Sequence, residues 1–295
     1  LYNKLKKNND KFYLISRSKK LKQKNEYSYN VFQDFNWFKL LKNNCTIFFL
    51  AFNNNLYELE KNTSYIRQIK KFSLAFNEYL LKKDLTVNFI FTSTVTIYGK
   101  TNSSKIVNEK LIDNPKSNYD KAKKIMENIF LKYEKKNKIN FVSLRLSNIY
   151  GKSFLNQQIN RGFLNKLILN IYQKKEIHIY GNGNNLRNYL YIDDLIEALI
   201  KSSKNIKKIS GKILILCQNK SYSFNEIIQI IKKTLKINFK VKKINYPRKL
   251  NIIEKRSFKG SNKMFKKYIE WEPKINIKSG IKLILKKEKK YEYNN

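Results

Sequence analysis

The feature that most constrains the fold is an alternation. Short apolar runs bounded by polar turns recur along the chain, separated by stretches with helical spacing. KFYLIS (11–16), TIFFLAF (46–52), VNFIFTST (87–94) and NFVSLRLS (140–147) read as buried strands, and EIHIY (176–180) as another. NWFKLLKN (36–43), residues 61–83 and SNYDKAKKIMENIFLKYEKK (117–136) read as helices. In 61–83 the apolar positions are Tyr65, Ile66, Ile69, Phe72, Leu74, Ala75, Tyr79 and Leu80. Strands that are apolar throughout belong to sheets covered on both faces, and strand–helix alternation builds β-α units around a parallel sheet. The expectation is an α/β fold. A chain of 295 residues buries a real core in one large domain or two smaller ones. KKEKK at 286–290 reads as the solvated end of a last helix.

Composition excludes more than it selects. The formal net charge is +40, yet basic residues run from end to end with no basic arm, and Lys, Asn and Ile are abundant together. That pattern points to a base-composition bias rather than to the clustered footprint of a nucleic-acid binder. A basic nucleic-acid-binding protein is kept as an alternative of another class, and no specific nucleic-acid partner is expected. His178 is the one histidine, which rules out multi-His metal sites, and in EIHIY it reads as a strand residue rather than a ligand; no metal is expected. Cys45 and Cys217 each sit in an apolar run, as buried small hydrophobes in a reducing compartment do. TIFFLAF, the longest apolar run, is too short to span a bilayer, and no signal peptide is visible. The expected setting is cytoplasmic, with no membrane partner.

One candidate chemical group is a Tyr-x-x-x-Lys step. With 20 Tyr and 62 Lys or Arg among 295 residues, about four Tyr-x-x-x-Lys/Arg matches arise by chance. The matches are Tyr2/Lys6, Tyr13/Arg17, Tyr57/Lys61, Tyr79/Lys83 and Tyr119/Lys123. Tyr13/Arg17 lies on a strand, where residues four apart stand about 13 Å apart. Tyr119/Lys123 alone opens a helix after a hydroxyl-rich strand end, FTSTVTIYG (91–99). Residues i and i+4 of a helix share a face about 6 Å apart, and doubly wound sheets bind ligands at the carboxyl ends of their strands.

The order FTSTVTIYG, YDKAK, SLRLSNIYG and IYGNGNNLRNYLYIDD resembles the extended short-chain dehydrogenase/reductase family. Within it the chain resembles the NAD-dependent epimerase/dehydratase branch that acts on nucleotide sugars. QDFNWFKLLKNNCTIFFLAF (33–52) and WEPKINIKSGI (271–281) extend the resemblance over nearly the whole chain. It implies a Rossmann-type doubly wound parallel sheet with a smaller C-terminal substrate domain. Residues 1–151 and about 186–217 would form the dinucleotide-binding domain, and 152–185 with 218–295 the nucleotide-sugar domain. By the same resemblance Tyr119 is the acid/base, and Lys123 holds the nicotinamide ribose and lowers the Tyr pKa. Thr94, with Ser93 beside it, occupies the place of the catalytic Ser/Thr, and both touch substrate. Asn148 touches substrate and Arg187 meets the nucleotide diphosphate. Asp34 and Phe35 border the adenine, and Leu50 and Ala51 the cofactor ribose. The implied cofactor is NAD, and the implied activity is C4 epimerisation of a nucleotide hexose. An NADPH-dependent reductase of a nucleotide-linked keto sugar is the nearest alternative. A homodimer through residues 61–83 and 117–136 is implied by the resemblance alone.

Departures from the family pattern matter too. The family opens with a strand and a Gly-x-x-Gly-x-x-Gly turn that holds the pyrophosphate. This sequence contains neither and begins at LYNKLKK, similar to the helix after that turn. The expectation is that about fifteen residues, one strand and the turn, precede it; the alternative is a non-catalytic relative. The family's His-Leu-Ala-Ala reads Phe49-Leu50-Ala51-Phe52, an Asn is replaced by Ile69, and Asn188 stands where Asp is frequent. Thr94-Val95-Thr96 lacks the two acids of the dehydratase subgroup, which disfavours dehydration. Arg17, just after strand 11–16, is cofactor-facing or plain surface charge; an Arg there accommodates a 2′-phosphate, which keeps NADP open. Among plainer readings, Asp193 and Asp194 cap the helix LIEALIKS. Tyr150-Gly151 and Gly181-Asn182-Gly183 make turns, and Trp37 and Trp271 are core.

Overall fold

The computed structural model describes residues 1–8, 10–16, 25–52, 56–61, 64–101, 104–136, 139–151, 162–246 and 255–292. Arg17 and residues 152–161 lie outside the described residues. In chain order the first elements are α1 (Tyr2–Lys7), β1 (Leu14–Ser16), β2 (Glu26–Ser28), a 3-10 helix at Asn36–Leu40 and β3 (Thr46–Phe49). Then come α2 (Leu56–Lys61), α3 (Ser64–Lys82), β4 (Val87–Thr94) and a 3-10 turn at Val95–Tyr98. Next are α4 (Asn118–Glu134), β5 (Ile139–Leu146), β6 (Asn148–Tyr150), α5 (Phe163–Tyr172), β7 (Ile177–Tyr180) and β8 (Leu186–Tyr191). The chain continues through α6 (Ile192–Lys204), α7 (Ile206–Ile209), β9 (Lys212–Leu216), β10 (Ser221–Ser223), α8 (Phe224–Leu235) and β11 (Val241–Ile244). It closes with α9 (Lys263–Ile269) and α10 (Ile277–Glu292). This is an α/β fold with a four-stranded sheet ordered β3-β4-β5-β9. No described helix is long and apolar enough to cross a membrane.

The chain divides into two compact units. The first comprises residues 1–93, 117–143 and 202–212. Its β3 and β4 run parallel, with Phe49 opposite Phe91. VNFIFTST is buried along both faces, as a central parallel strand is. The core is unusually rich in phenylalanine. Phe49 stacks on Phe72 at 5.3 Å, and Phe89 meets Phe130 of α4 at 4.5 Å. Helix α3 buries Tyr65, Ile69, Phe72, Phe76 and Leu80, a 3.6-residue stripe turned to the core.

Three elements of this unit are shorter than the sequence pattern suggests. Residues 11–16 give only the three-residue β1, which pairs in parallel with β2 in a separate two-stranded sheet. The partner strand EYS hides in a polar stretch. NWFKLLKN forms a 3-10 helix over Asn36–Leu40 only, with Trp37 and Phe38 both buried. TIFFLAF stays in the sheet only to Phe49, and Leu50 emerges half exposed.

The second unit comprises residues 94–116, 144–201 and 213–295. Its three-stranded sheet is ordered β10-β8-β6, with β6 and β8 parallel and β10 antiparallel to β8. β7 and β11 form a parallel pair. Tyr150 is not in a turn: it ends β6, is buried, and packs edge-on against Tyr191 at 5.3 Å. Gly181 and Gly183 do form the expected turn, at φ 61° and 75°. Trp37 in the first unit and Trp271 in the second are both core.

Candidate active site

Helix α4 starts at a capping box. Ser117 Oγ accepts from the Asp120 amide at 3.1 Å and Asp120 returns the bond to Ser117 N–H at 3.2 Å. Two such bonds satisfy amides that the first helical turn leaves unpaired. Glu60 accepts from Asn118 N–H at 2.5 Å, and Asn118 Nδ2 donates to the Leu59 carbonyl at 3.0 Å. The start of α4 is thus fixed from both sides, and with it Tyr119 in the first turn and Lys123 one turn on.

Lys123 is buried, and its Nζ donates to the Thr92 carbonyl on β4. Three rings surround the ammonium, with Nζ 4.0 Å from the Phe52 centroid, 4.7 Å from Phe91 and 5.5 Å from Tyr119. Aromatic faces attract a cation but exclude water. Loss of hydration dominates and pushes the Lys123 pKa down to about 7, against the upward pull of Glu127. Glu127, four residues on, is fully buried and accepts from Ser143 Oγ at 2.8 Å. The Tyr119 ring is half-buried and lies edge-on to Phe52 at 5.7 Å. Thr92 Oγ1 donates to the Phe49 carbonyl at 3.0 Å, tying the ends of β3 and β4 together. Ser93 Oγ is buried without a hydrogen-bond partner among the described residues.

The other residues of this unit occupy the ends of neighbouring elements. Leu50 and Ala51 follow β3, and Leu50 is 50% exposed. Asp34 accepts from the Asn36 amide at 3.0 Å and so also starts the 3-10 helix. Phe35 stacks on Phe38 at 5.2 Å.

Thr94 belongs to the second unit and caps the 3-10 turn that follows β4. Its Oγ1 accepts from Thr96 N–H at 3.2 Å and lies 2.8 Å from Thr96 Oγ1. Asn148 is exposed at the start of β6. Arg187 lies over Phe224 at 5.2 Å and donates to the carbonyls of Leu186 and Arg256. Arg256 in turn donates to the Thr96 carbonyl at 3.3 Å.

Several residues that govern these geometries are absent from the motif reading. Arg145, buried within β5, makes a bidentate pair with Asp113 at 2.5 and 2.9 Å, its guanidinium 4.7 Å from the Tyr98 ring. A charge inside an apolar strand was the available signal for a buried partner. Glu127 is the i+4 neighbour of Lys123, a spacing visible in sequence. Asn188, a departure from the family, fits its surroundings. Its Nδ2 donates to the carbonyls of Gln218 at 2.8 Å and Lys220 at 3.2 Å, while Oδ1 accepts from Gln218 N–H at 2.8 Å. Asp194 binds the backbone amides of Lys274 and Ile275 at 3.1 and 3.0 Å. It therefore anchors the C-terminal segment rather than acting only at its own helix start. Burial raises its pKa while those two amides oppose the shift.

The sequence pattern of the NAD dependent epimerase/dehydratase family matches residues 3–217. The chain belongs to that family. Among curated relatives, it is 37% identical over 130 residues to a dTDP-D-glucose 4,6-dehydratase of Dictyostelium discoideum, covering 41% of this chain and 28% of that protein. It is 29% identical over 205 residues to a UDP-glucuronate 4-epimerase of Thermodesulfobacterium geofontis, covering 68% and 59%. The matched stretches span between 28% and 66% of the length of the curated relatives. The structure of a UDP-glucose 4-epimerase from Thermotoga maritima with UDP-glucose is similar in fold. It has a TM-score of 0.84 and 20% identity, over 98% of this chain and 94% of that one.

The side chains at the end of β4 suit a dinucleotide's sugar hydroxyls. Ser93 offers a buried hydroxyl without a partner among the described residues, and Lys123 offers an ammonium with donor capacity beyond its one carbonyl. Gly99 is the first glycine of this sequence, so a glycine cradle for the pyrophosphate is not among these residues.

Proposed function

We propose that the protein is a nucleotide-sugar 4-epimerase that uses NAD, acting on an NDP-hexose through a transient 4-keto sugar. The observation that carries this is the pair on α4. Tyr119 and Lys123 sit one helical turn apart, with the Lys123 ammonium 5.5 Å from the Tyr119 ring and shut off from water. NAD, when bound, supplies the reversible acceptor for the hydride at C4.

The roles of the chain's own groups follow from their chemistry. A free phenol titrates near pH 10, too high for a base at neutral pH. Where Lys123 carries its proton, the charge beside the phenol favours the phenolate, so Tyr119 takes the C4 hydroxyl proton and later returns it. Lys123 holds cofactor hydroxyls, with Asp34, Phe35, Leu50 and Ala51 on the adenine and ribose side, and Ser93 lies beside Thr94 at the substrate. Thr94 donates to the sugar oxygen as charge grows on it. Asn148 orients the sugar, and Arg187 meets the diphosphate with its planar fork. Residues 152–185 and 218–295 carry the nucleotide sugar in this reading.

The hydroxyls of Thr94 and Thr96, 2.8 Å apart, favour epimerisation over the elimination that a dehydratase performs. Neither is acidic or basic enough to move a carbon-bound proton at neutral pH. The test is incubation with UDP-glucose without added cofactor, following UDP-galactose by chromatography. Epimer formation with no net NADH or NADPH change is expected, and Tyr119→Phe is expected to abolish it while bound NAD remains. Stoichiometric NADPH consumption, or retained turnover by the Phe variant, overturns the reading.

A further inference from the structure

We propose that the loop 104–116 of the second unit is a peripheral docking surface for anionic lipid bilayers. The proposal is independent of the reaction assigned above. Three of the eight large hydrophobic side chains exposed among the described residues fall within seven positions of this loop: Ile106 at 58%, Leu111 at 43% and Ile112 at 86%. Single exposed aliphatics are ordinary, whereas a group of them rimmed by polar residues marks a contact surface.

The exposure is built into the backbone. Val107 is buried and bridges to Gly260. Its amide donates to the Lys259 carbonyl at 2.8 Å, and its carbonyl accepts from Ser261 N–H at 3.0 Å. In an extended segment successive side chains point to opposite sides, so burying Val107 turns Ile106 outward. Leu111 N–H closes a turn on the Asn108 carbonyl at 3.1 Å, and Asn114 N–H donates to the Ile97 carbonyl at 2.9 Å. The chain is pinned on both sides of Leu111 and Ile112, which stay outside the core.

Charge selects the occupant. The loop carries Lys105, Lys110 and Lys116, all exposed. Its two acids bond to the protein's own groups: Glu109 accepts from the Ile215 amide at 3.0 Å, and Asp113 pairs with Arg145 at 2.5 Å. The rim is therefore basic around an aliphatic tip. Such a surface sinks its apolar side chains to the headgroup level while its lysines meet anionic lipid. Nucleic acid fits less well, because residues 104–116 contain no aromatic ring on which a base stacks. A protein partner also fits less well, since a stable interface takes about 20–30 residues a side. A peripheral contact needs no helix able to cross a membrane. It departs from the expectation of no membrane partner, which rests on the length of apolar runs.

Two measurements test this. The first is co-sedimentation of the full chain with vesicles of phosphatidylcholine alone and of phosphatidylcholine with about one-third phosphatidylserine. Wild type is compared with a triple variant, Ile106→Ser, Leu111→Ser and Ile112→Ser. The variant keeps the net charge of +40, so the diffuse attraction of a basic chain to anionic lipid is the same in both. Wild type should bind the anionic vesicles at least about tenfold more tightly than the variant. Affinities within about twofold of each other, or no binding by wild type, overturn the proposal. The second is the fluorescence of Ile112→Trp. Trp37 and Trp271 are buried, so the introduced indole is the one that senses lipid. Its emission should shift to the blue on anionic vesicles and be quenched by lipids brominated on their acyl chains; unchanged emission overturns the proposal. Wild type that sediments as a dimer without lipid, beside a monomeric triple variant, overturns it too, since a second copy then covers the patch.

Discussion

Replacing Lys123 by Met probes the most unusual electrostatic feature of the molecule. The residue is 3% exposed, and loss of water takes its pKa from 10.5 down to about 7. At about 1.4 kcal/mol per pH unit this drop corresponds to about 5 kcal/mol, an upper bound on the cost of burying the charge. The sign is definite. Between about pH 7 and 10.5 the unfolded chain binds a proton at this site that the folded chain does not, so folding stability rises with pH across that window. About 3 kcal/mol of the total is recovered between about pH 6.5 and 9.5. Methionine carries no proton, fills similar space, and is indifferent to pH. Urea unfolding of both proteins at those two pH values, with equal cofactor content, gives a double difference in which all other titrating groups cancel. The stability advantage of the Met variant should be larger at the lower pH by about 3 kcal/mol. A difference that stays constant within about 0.5 kcal/mol would show that water reaches the ammonium, and the reasoning about its three aromatic neighbours would be wrong. Turnover should be lost in the variant at both pH values.

Asn188→Asp puts a carboxylate against the carbonyls of Gln218 and Lys220 in a site 1% exposed. It should cost about 3 kcal/mol by denaturant unfolding, although Asp is frequent there in the family. Arg145→Met leaves Asp113 without its bidentate partner, and a loss of about 3–5 kcal/mol is expected in the same assay. Gly280→Ala places a methyl 2.1 Å from the Tyr150 hydroxyl. A loss of about 1–3 kcal/mol is expected, seen as a lower thermal midpoint.

Where the sequence was readable, one physical cause dominated. VNFIFTST matches β4 in full because a strand covered on both faces carries a continuous apolar run, here Phe89-Ile90-Phe91. SNYDKAKK was placed at a helix start, and its Ser117–Asp120 spacing is the one a capping box requires. Pairing across distance was not readable. β1 exists only because EYS lies beside it, and nothing in either segment names the other. The same holds for the site. That Tyr119 and Lys123 share a helix face follows from spacing. The enclosure of Lys123 by Phe52 and Phe91 depends on the ends of two strands meeting one helix. The resemblance to the family marks Phe52 as standing where Ala is common, without showing that its ring would face the lysine. Asp194 had a plain local reading as a helix cap, and its partners lie eighty positions away in the chain.

That last bond bears on the order in which the molecule is made. The first unit has all its segments once residue 212 has been synthesised, whereas the second draws on the chain as far as its final helix. Chains emerge from the ribosome slowly compared with local folding. A nascent chain that has reached the middle of α8 therefore holds the material for the phenylalanine-rich core. At that stage Asp194 still waits for the amides of Lys274 and Ile275. The Tyr119–Lys123 helix would mature earlier in translation, and the segment bearing Arg187 would be completed only after Ile275 had emerged. A premature stop codon between these points would spare the first unit and leave the second with an unsatisfied carboxylate in its interior.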